Sequence, residues 1–293
     1  MLLEHTTAEK LINQIALGPW SSAEPVDLVQ YTRITPEAAW LLAREYRGEE
    51  SPGSGPETAR PGAPAHFELD LSGLRSLDVA SARALACWNP GAKVPDEATC
   101  TLNLSGLRHS PPQVLAVLAR WSVTAATASL WLGGFRKLGR ARAEALGRWN
   151  GGNLVSNLYL GAVEALEPEE AEALTAGWVG TLALGLREIT LESAVRLGQA
   201  GCQWLILPRL ERIEPPGLLA LAGLTPEGEL RPEYASPEFG RAEPLELFLG
   251  GDRRSGLRDV TRELAEVIDT VRQLGVKVNL PRATLRELRA WSG

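Results

Sequence analysis

One apolar frame recurs along this chain, and it leaves few folds open. Leu69-Asp-Leu71-Ser-Gly-Leu74-Arg-Ser-Leu77 is echoed by Leu102-Asn-Leu104-Ser-Gly-Leu107-Arg-His-Ser110 and by Leu130-Trp-Leu132-Gly-Gly-Phe135-Arg-Lys-Leu138. It returns as Leu158-Tyr-Leu160-Gly-Ala-Val163-Glu-Ala-Leu166 and as Leu205-Ile-Leu207-Pro-Arg-Leu210-Glu-Arg-Ile213. A diverged first copy is Val26-Asp-Leu28-Val-Gln-Tyr31-Thr-Arg-Ile34. With the first apolar residue of each copy as offset 0, offsets 0, 2, 5 and 8 are apolar at 23 of 24 positions, Ser110 being the exception. Offsets 13 and 16, from Ala39/Leu42 to Leu218/Leu221, are apolar at all 12. A period this regular marks a stack of repeated units, each too small to bury its own apolar face alone.

The spacing has a direct physical reading. Offsets 0 and 2 alternate as on a short strand with one buried face, and offsets 13 and 16 share the inner face of a helix. Pro36, Pro112, Pro168 and Pro215 all fall at offset 10, where a first helical turn has no use for the missing N–H. Thr35 and Ser110 stand before such prolines as candidate N-caps. Each unit therefore reads as strand, turn, helix. A seventh copy, Leu182-Ala-Leu184-Gly-Leu186-Arg-Glu-Ile189, is one residue short, which we read as a deletion in the turn and not a shifted strand. An eighth strand is Leu247-Phe-Leu249. Trp88, Trp121 and Trp149 at offset 19, with Trp178 at offset 20, are expected to seal each helix end against the next unit.

Copies start at 26, 69, 102, 130, 158, 182, 205 and 247, so the middle steps are regular and the ends carry insertions at 47–65 and 224–244. The Gly-, Pro- and Glu-rich first insertion reads as a loop. The second holds Tyr234 and Phe239, which we expect to pack on the chain itself. Residues 1–25 are expected to supply an N-terminal capping helix, with Thr6 and Glu9 spaced for a capping box. Residues 26–250 form the solenoid. Residues 251–293 close it with a helix on the stripe Leu257, Val260, Leu264, Val267, Ile268, Val271 and Leu274, ended by Gly275, then a strand at 276–280 and a helix at 283–291.

These residues resemble the leucine-rich repeat family. The spacing L-x-L-x-x-[LFV]-x-x-[LI] followed by A-x-x-L is most similar to the cysteine-containing and ribonuclease-inhibitor-like subclasses. Leu, Phe, Val or Tyr replaces the usual Asn or Cys at offset 5, and similar Leu-Gly-Leu variants occur in bacterial repeat proteins. The resemblance covers about residues 26–250. It implies an α/β horseshoe solenoid with parallel strands on the concave face, helices on the convex face, and binding of a protein partner. It implies no catalytic residue.

Composition narrows the function. Thirty Lys and Arg against 36 Asp and Glu give a net charge of −6, which argues against a general nucleic-acid binder. No apolar run approaches a membrane span, and the N-terminus lacks the basic and apolar regions of a signal peptide. Cys87, Cys100 and Cys202 are odd in number and far apart, so a disulfide framework is not expected and a reducing cytoplasm is. His5, His66 and His109 have no metal-ligand spacing. No cofactor is expected.

On a strand-lined face the residue between two buried leucines points outward. Offset 1 gives Asp27, Asp70, Asn103, Trp131, Tyr159, Ala183, Ile206 and Phe248, and Trp204 joins them at offset −1. The row is acidic at its start and aromatic or aliphatic later. Asp70, Asn103, Trp131, Tyr159, Trp204, Ile206 and Phe248 are the candidate partner-binding residues, because Trp and Tyr are enriched at binding hot spots. Three occupants fit this face: a protein partner, the chain's own C-terminal loop or cap, or a second copy in a homodimer. The reading taken is a non-enzymatic adaptor or assembly subunit, with an inhibitory or immunity-type protein as the alternative. The most enzyme-like feature, Gly250-Gly-Asp-Arg-Arg-Ser-Gly256 between a strand and a helix, offers an anion site but lacks a P-loop ending and reads as a solvated turn. Arg136, Lys137, Arg140, Arg142 and Arg148 read as a solvated basic face, with acidic-partner recognition as the other reading.

Overall fold

The computed structural model describes residues 1–17, 27–45, 49–50, 66–89, 98–123, 127–149, 155–177, 180–199, 202–225, 229, 245–250, 257 and 260–291. It is an α/β repeat arrangement in which parallel strands alternate with helices in chain order. The chain forms two compact units, Met1–Phe135 with Arg148–Leu158, and Arg136–Gly147 with Tyr159–Gly293. No helix among the described residues is long and apolar enough to cross a membrane.

The first unit opens with β1 (Leu2–Leu3), α1 (His5–Leu17), β2 (Arg33–Ile34) and α2 (Pro36–Glu45). The short β3 (Glu49–Glu50) runs antiparallel to β4 (His66–Asp70). Next come α3 (Val79–Leu85), β5 (Thr99–Asn103), α4 (Pro112–Leu118) and β6 (Thr127–Trp131). Leu69 pairs with Leu102 and Leu102 with Leu130, so equal offsets lie side by side. Their neighbours Leu71, Leu104 and Leu132 are buried with them. The alternation read from the repeat is thus that of a sheet with one apolar and one mostly polar face, although Thr101, Asn103 and Ser129 on the second face are buried as well.

The second unit holds α5 (Arg140–Leu146) and the end of β7 (Val155–Leu160), a strand that begins in the first unit. It continues through α6 (Pro168–Thr175), β8 (Gly180–Leu184), α7 (Leu191–Gly198), β9 (Trp204–Leu207), α8 (Pro215–Leu221) and β10 (Glu246–Leu249). It ends with α9 (Arg262–Gln273), β11 (Lys277–Asn279) and α10 (Arg282–Trp291). Leu182 pairs with Leu205 and Leu205 with Leu247. The short seventh copy keeps its strand register, as a deletion in the turn requires.

Helix starts follow local chemistry. The four prolines at offset 10 are the first residues of α2, α4, α6 and α8. In α3, α7 and α9, which lack that proline, a side chain closes the first turn: Asp78 accepts from Ser81 N–H, Thr190 from Ser193 N–H and Thr261 from Leu264 N–H, whereas α5 starts after Gly139 with no side-chain cap. Thr35 accepts from Ala38 N–H as expected. Gly275, at φ 89°, follows α9 in the left-handed conformation that glycine adopts without a Cβ clash.

Several local expectations are corrected. The first copy forms no strand at residues 27–28; β2 lies at its offsets 7 and 8 and pairs with β1, Leu2 with Arg33 and Leu3 with Ile34. Helix α1 begins at His5, so Thr6 is already inside it and cannot be its N-cap. Pro111, not Ser110, occupies the N-cap position of α4, because the helix starts at Pro112. The C-terminal helix starts at Arg262, later than the stripe suggests, and Leu274 at its end is exposed. Trp178, nearly all of 47–65 and 224–244, and residues 251–256 lie outside the described residues.

The offset-5 substitution has a structural answer. The amide at offset 5 donates to the carbonyl at offset 2 of its own unit: Leu74 to Leu71 at 3.0 Å, Leu107 to Leu104 at 3.1 Å and Val163 to Leu160 at 3.0 Å. Backbone partners satisfy the turn amides, which leaves the side chain at offset 5 apolar and buried. Trp88, Trp121 and Trp149 are buried just after the helices α3, α4 and α5 of successive repeats. Their rings stack at 5.8 and 6.5 Å, and the second and third indole N–H groups donate to the carbonyl of the tryptophan before them, Trp121 to Trp88 at 2.8 Å and Trp149 to Trp121 at 3.2 Å.

Candidate functional site

In the first unit, three strands set a grid on the side of the sheet away from the buried leucines. His66, Glu68 and Asp70 alternate along β4, Thr99, Thr101 and Asn103 along β5, and Thr127, Ser129 and Trp131 along β6. Register places Glu68 beside Thr101 and Thr101 beside Ser129, with Asp70 beside Asn103 and Asn103 beside Trp131. Eight of these nine side chains are polar or titratable. The period of two would have found the hydroxyls at offsets −1 and −3, which the reading by offset 1 alone passes over.

The candidate residues in this unit differ in what they offer. Trp131 is 40% exposed, high for an indole in a strand. Asp70 is half-buried and its carboxylate accepts from Ser72 N–H at 2.9 Å. Asn103 is buried. Its amide donates to Glu68 at 3.1 Å, and its oxygen accepts from Ser105 N–H at 3.2 Å and Ser105 Oγ at 2.6 Å. Asp27, outside any strand, accepts from Val29 N–H at 3.1 Å. In all three copies, then, the polar residue at offset 1 closes the turn that follows its strand position, which is what short Asx side chains do. Offset 1 holds Asx in these units partly because the turn needs it.

Glu68 is the electrostatic centre of this grid. His66 Nε2 lies 3.8 Å from its carboxylate. That imidazole lowers the Glu68 pKa most, burial pushes it back up, and the Asn103 amide lowers it further, so the carboxyl ionises more readily than a free glutamate. A carboxyl depressed by folding adds stability above its unfolded-state range and loses it as pH falls through the folded value. The Tm difference between the wild type and Glu68→Gln is therefore expected to be widest near neutrality and to close on acidification below about pH 4. Thermal melts of both proteins across that range check this; a gap that widens on acidification contradicts the sign.

The second unit presents different chemistry. Ala183 pairs with Ile206, Ile206 with Phe248 and Phe248 with Asn279. Two residues before this row, Trp204 lies between Thr181 and Glu246, and Glu246 accepts an ion-pair hydrogen bond from Lys277 at 2.6 Å. Trp204, Ile206, Phe248 and Tyr159 are all half-buried, while Ala183 is buried. Burial pushes the Tyr159 phenol up. Trp204, Ile206 and Phe248 thus lie together on β9 and β10, as offsets −1 and 1 require. The parallel strands hold their backbones, so little ordering remains for a contact to require.

Gly250 follows β10 with its N–H on the Leu207 carbonyl at 2.9 Å, and the rest of its loop lies outside the described residues. His109 is exposed in the turn after β5. Burial raises the Cys100 thiol to about 12, so it is no nucleophile at neutral pH. No protein-family model matches the chain, and no curated protein matches it either.

Proposed function

We propose that this chain is a cytosolic protein-binding module of the leucine-rich repeat type, acting as an adaptor or assembly subunit with no chemistry of its own. The observation that carries the reading is the cluster of Trp204, Ile206 and Phe248, half-exposed side by side on rigid strands. Large side chains in such a setting lose little entropy on binding and release ordered water from apolar surface. The carboxylates near the start of the repeat act on orientation and on-rate more than on affinity.

Immobilised wild type and an Ile206→Ala/Phe248→Ala double variant, offered native lysate in parallel, test the reading. A partner retained by the wild type is expected to be held at least about tenfold more weakly by the variant. The same partners at the same strength on both proteins would overturn it. So would a variant whose circular dichroism shows it unfolded, because the side chains would then belong to the core. Sedimentation of the wild type separates the homodimer: a dimer that the double substitution dissociates means that the face serves a second copy instead.

A further inference from the structure

The turns leaving the strands carry a second column of side chains at offset 6. There the N–H of one repeat donates to the carbonyl at the same offset in the repeat before it, so side chains stack rung on rung about 4.8 Å apart. In the second unit the column alternates in charge. Glu164 N–H meets the Arg136 carbonyl at 3.1 Å, Arg187 N–H the Glu164 carbonyl at 3.5 Å, and Glu211 N–H the Arg187 carbonyl at 2.8 Å. At offset 7, Arg212 and Glu188 on neighbouring rungs close an ion pair of 2.6 Å. Side chains on adjacent rungs therefore reach one another, and opposite charges there neutralise.

The first unit uses the same ladder differently. Arg75 N–H donates to the Thr32 carbonyl at 2.9 Å and Arg108 N–H to the Arg75 carbonyl at 3.2 Å, so the two arginines stack directly. Arg33 stands beside Thr32 on the first rung and His109 beside Arg108 on the third. All are exposed, and among the described residues no carboxylate pairs with Arg33, Arg75 or Arg108. Like charges on directly opposed rungs repel. A glutamate on an adjacent rung would relieve this, as Glu188 does for Arg212 at offset 7 of the second unit, in a chain whose net charge of −6 shows no shortage of acids.

We propose that Arg33, Arg75 and Arg108 form a docking edge for an acidic helix of a partner protein. Charge complementarity names an anion, and spacing selects the helix. Three rungs span about 10 Å. Carboxylates at i, i+3 or i+4, and i+7 on one helical face rise about 10.5 Å. An extended segment places same-side carboxylates about 6.8 Å apart and overshoots by the third rung. A long polyanion such as nucleic acid also meets the repulsion of the whole acidic chain, whereas a short helix meets chiefly the column within a Debye length.

A labelled alanine-based helical peptide with glutamates at i, i+4 and i+7 is the probe, read by fluorescence anisotropy at low ionic strength. The wild type is expected to bind it, Arg75→Glu/Arg108→Glu to bind at least about tenfold more weakly, and Arg83→Glu, on α3 of the same unit and outside this column, to bind as the wild type does. A composition-matched peptide with its glutamates spread around the helix is expected to bind more weakly. No binding by the wild type, equal binding by the double variant, equal binding of the spread peptide, or tighter binding of a single-stranded oligonucleotide would each overturn the proposal. An independent readout needs no ligand. Arg108→Glu pairs with Arg75 and is expected to raise Tm; a lowered Tm would remove the argument that the column is held against stability.

Discussion

Trp121→Ala is expected to cost about 4 kcal/mol of folding stability, among the largest effects available to a single substitution here. The indole is fully buried, stacks on Trp88 at 5.8 Å and on Trp149 at 6.5 Å, and donates its N–H to the Trp88 carbonyl, while the backbone carbonyl of Trp121 accepts from the Trp149 indole. Removing the ring opens a cavity between two aromatic faces and leaves the Trp88 carbonyl short of a donor. Trp121→Phe separates the two losses. It keeps most of the stacking area and forfeits the N–H, so about 2 kcal/mol is expected. Urea unfolding followed by circular dichroism measures both. If the alanine variant unfolds at the wild-type midpoint, the tryptophan column is not a seam of this fold.

Gly106→Ala is expected to be comparably severe, at least about 3 kcal/mol, through a different mechanism. A Cβ at this position would lie 2.0 Å from the Ser72 carbonyl oxygen, a backbone atom of the preceding turn held in the stacked ladder. Backbone cannot move aside as a flexible side chain can, so adjacent turns must separate. Gly161→Ala is the matched control, because a Cβ there meets nothing within 4 Å. It is expected to be neutral or slightly stabilising, since alanine restricts the unfolded chain more than glycine does. Melting both variants beside the wild type decides the point. Equal losses at both positions would mean that helix or turn propensity, and not close approach of turns, accounts for the effect.

The repeated unit was legible because its information is local. Which residue of a strand or helix is apolar determines which face is buried, and proline at offset 10 determines where a helix starts; neither requires a distant partner. The same locality explains the errors. The first copy matches the apolar frame, yet Leu2–Leu3 pairs with Arg33–Ile34, residues more than two dozen positions apart that no periodicity links. At the candidate site, offset 1 correctly placed Ile206 and Phe248 side by side. It also put Asn103 among the partner-facing residues, although that side chain is buried between Glu68 and Ser105. An Asx residue before a turn has two uses, and only the tertiary structure separates a cap from a contact.

By itself the amino-acid order determined the unit: strand, turn and helix, their apolar faces, and the offsets that point outward, because these follow from side-chain size and polarity at fixed backbone periods. Tertiary structure alone decided what stacked units do for one another. The tryptophan column and the arginines brought rung to rung both depend on groups about thirty residues apart meeting within hydrogen-bonding distance. That proximity is a property of the stack, and no single unit encodes it.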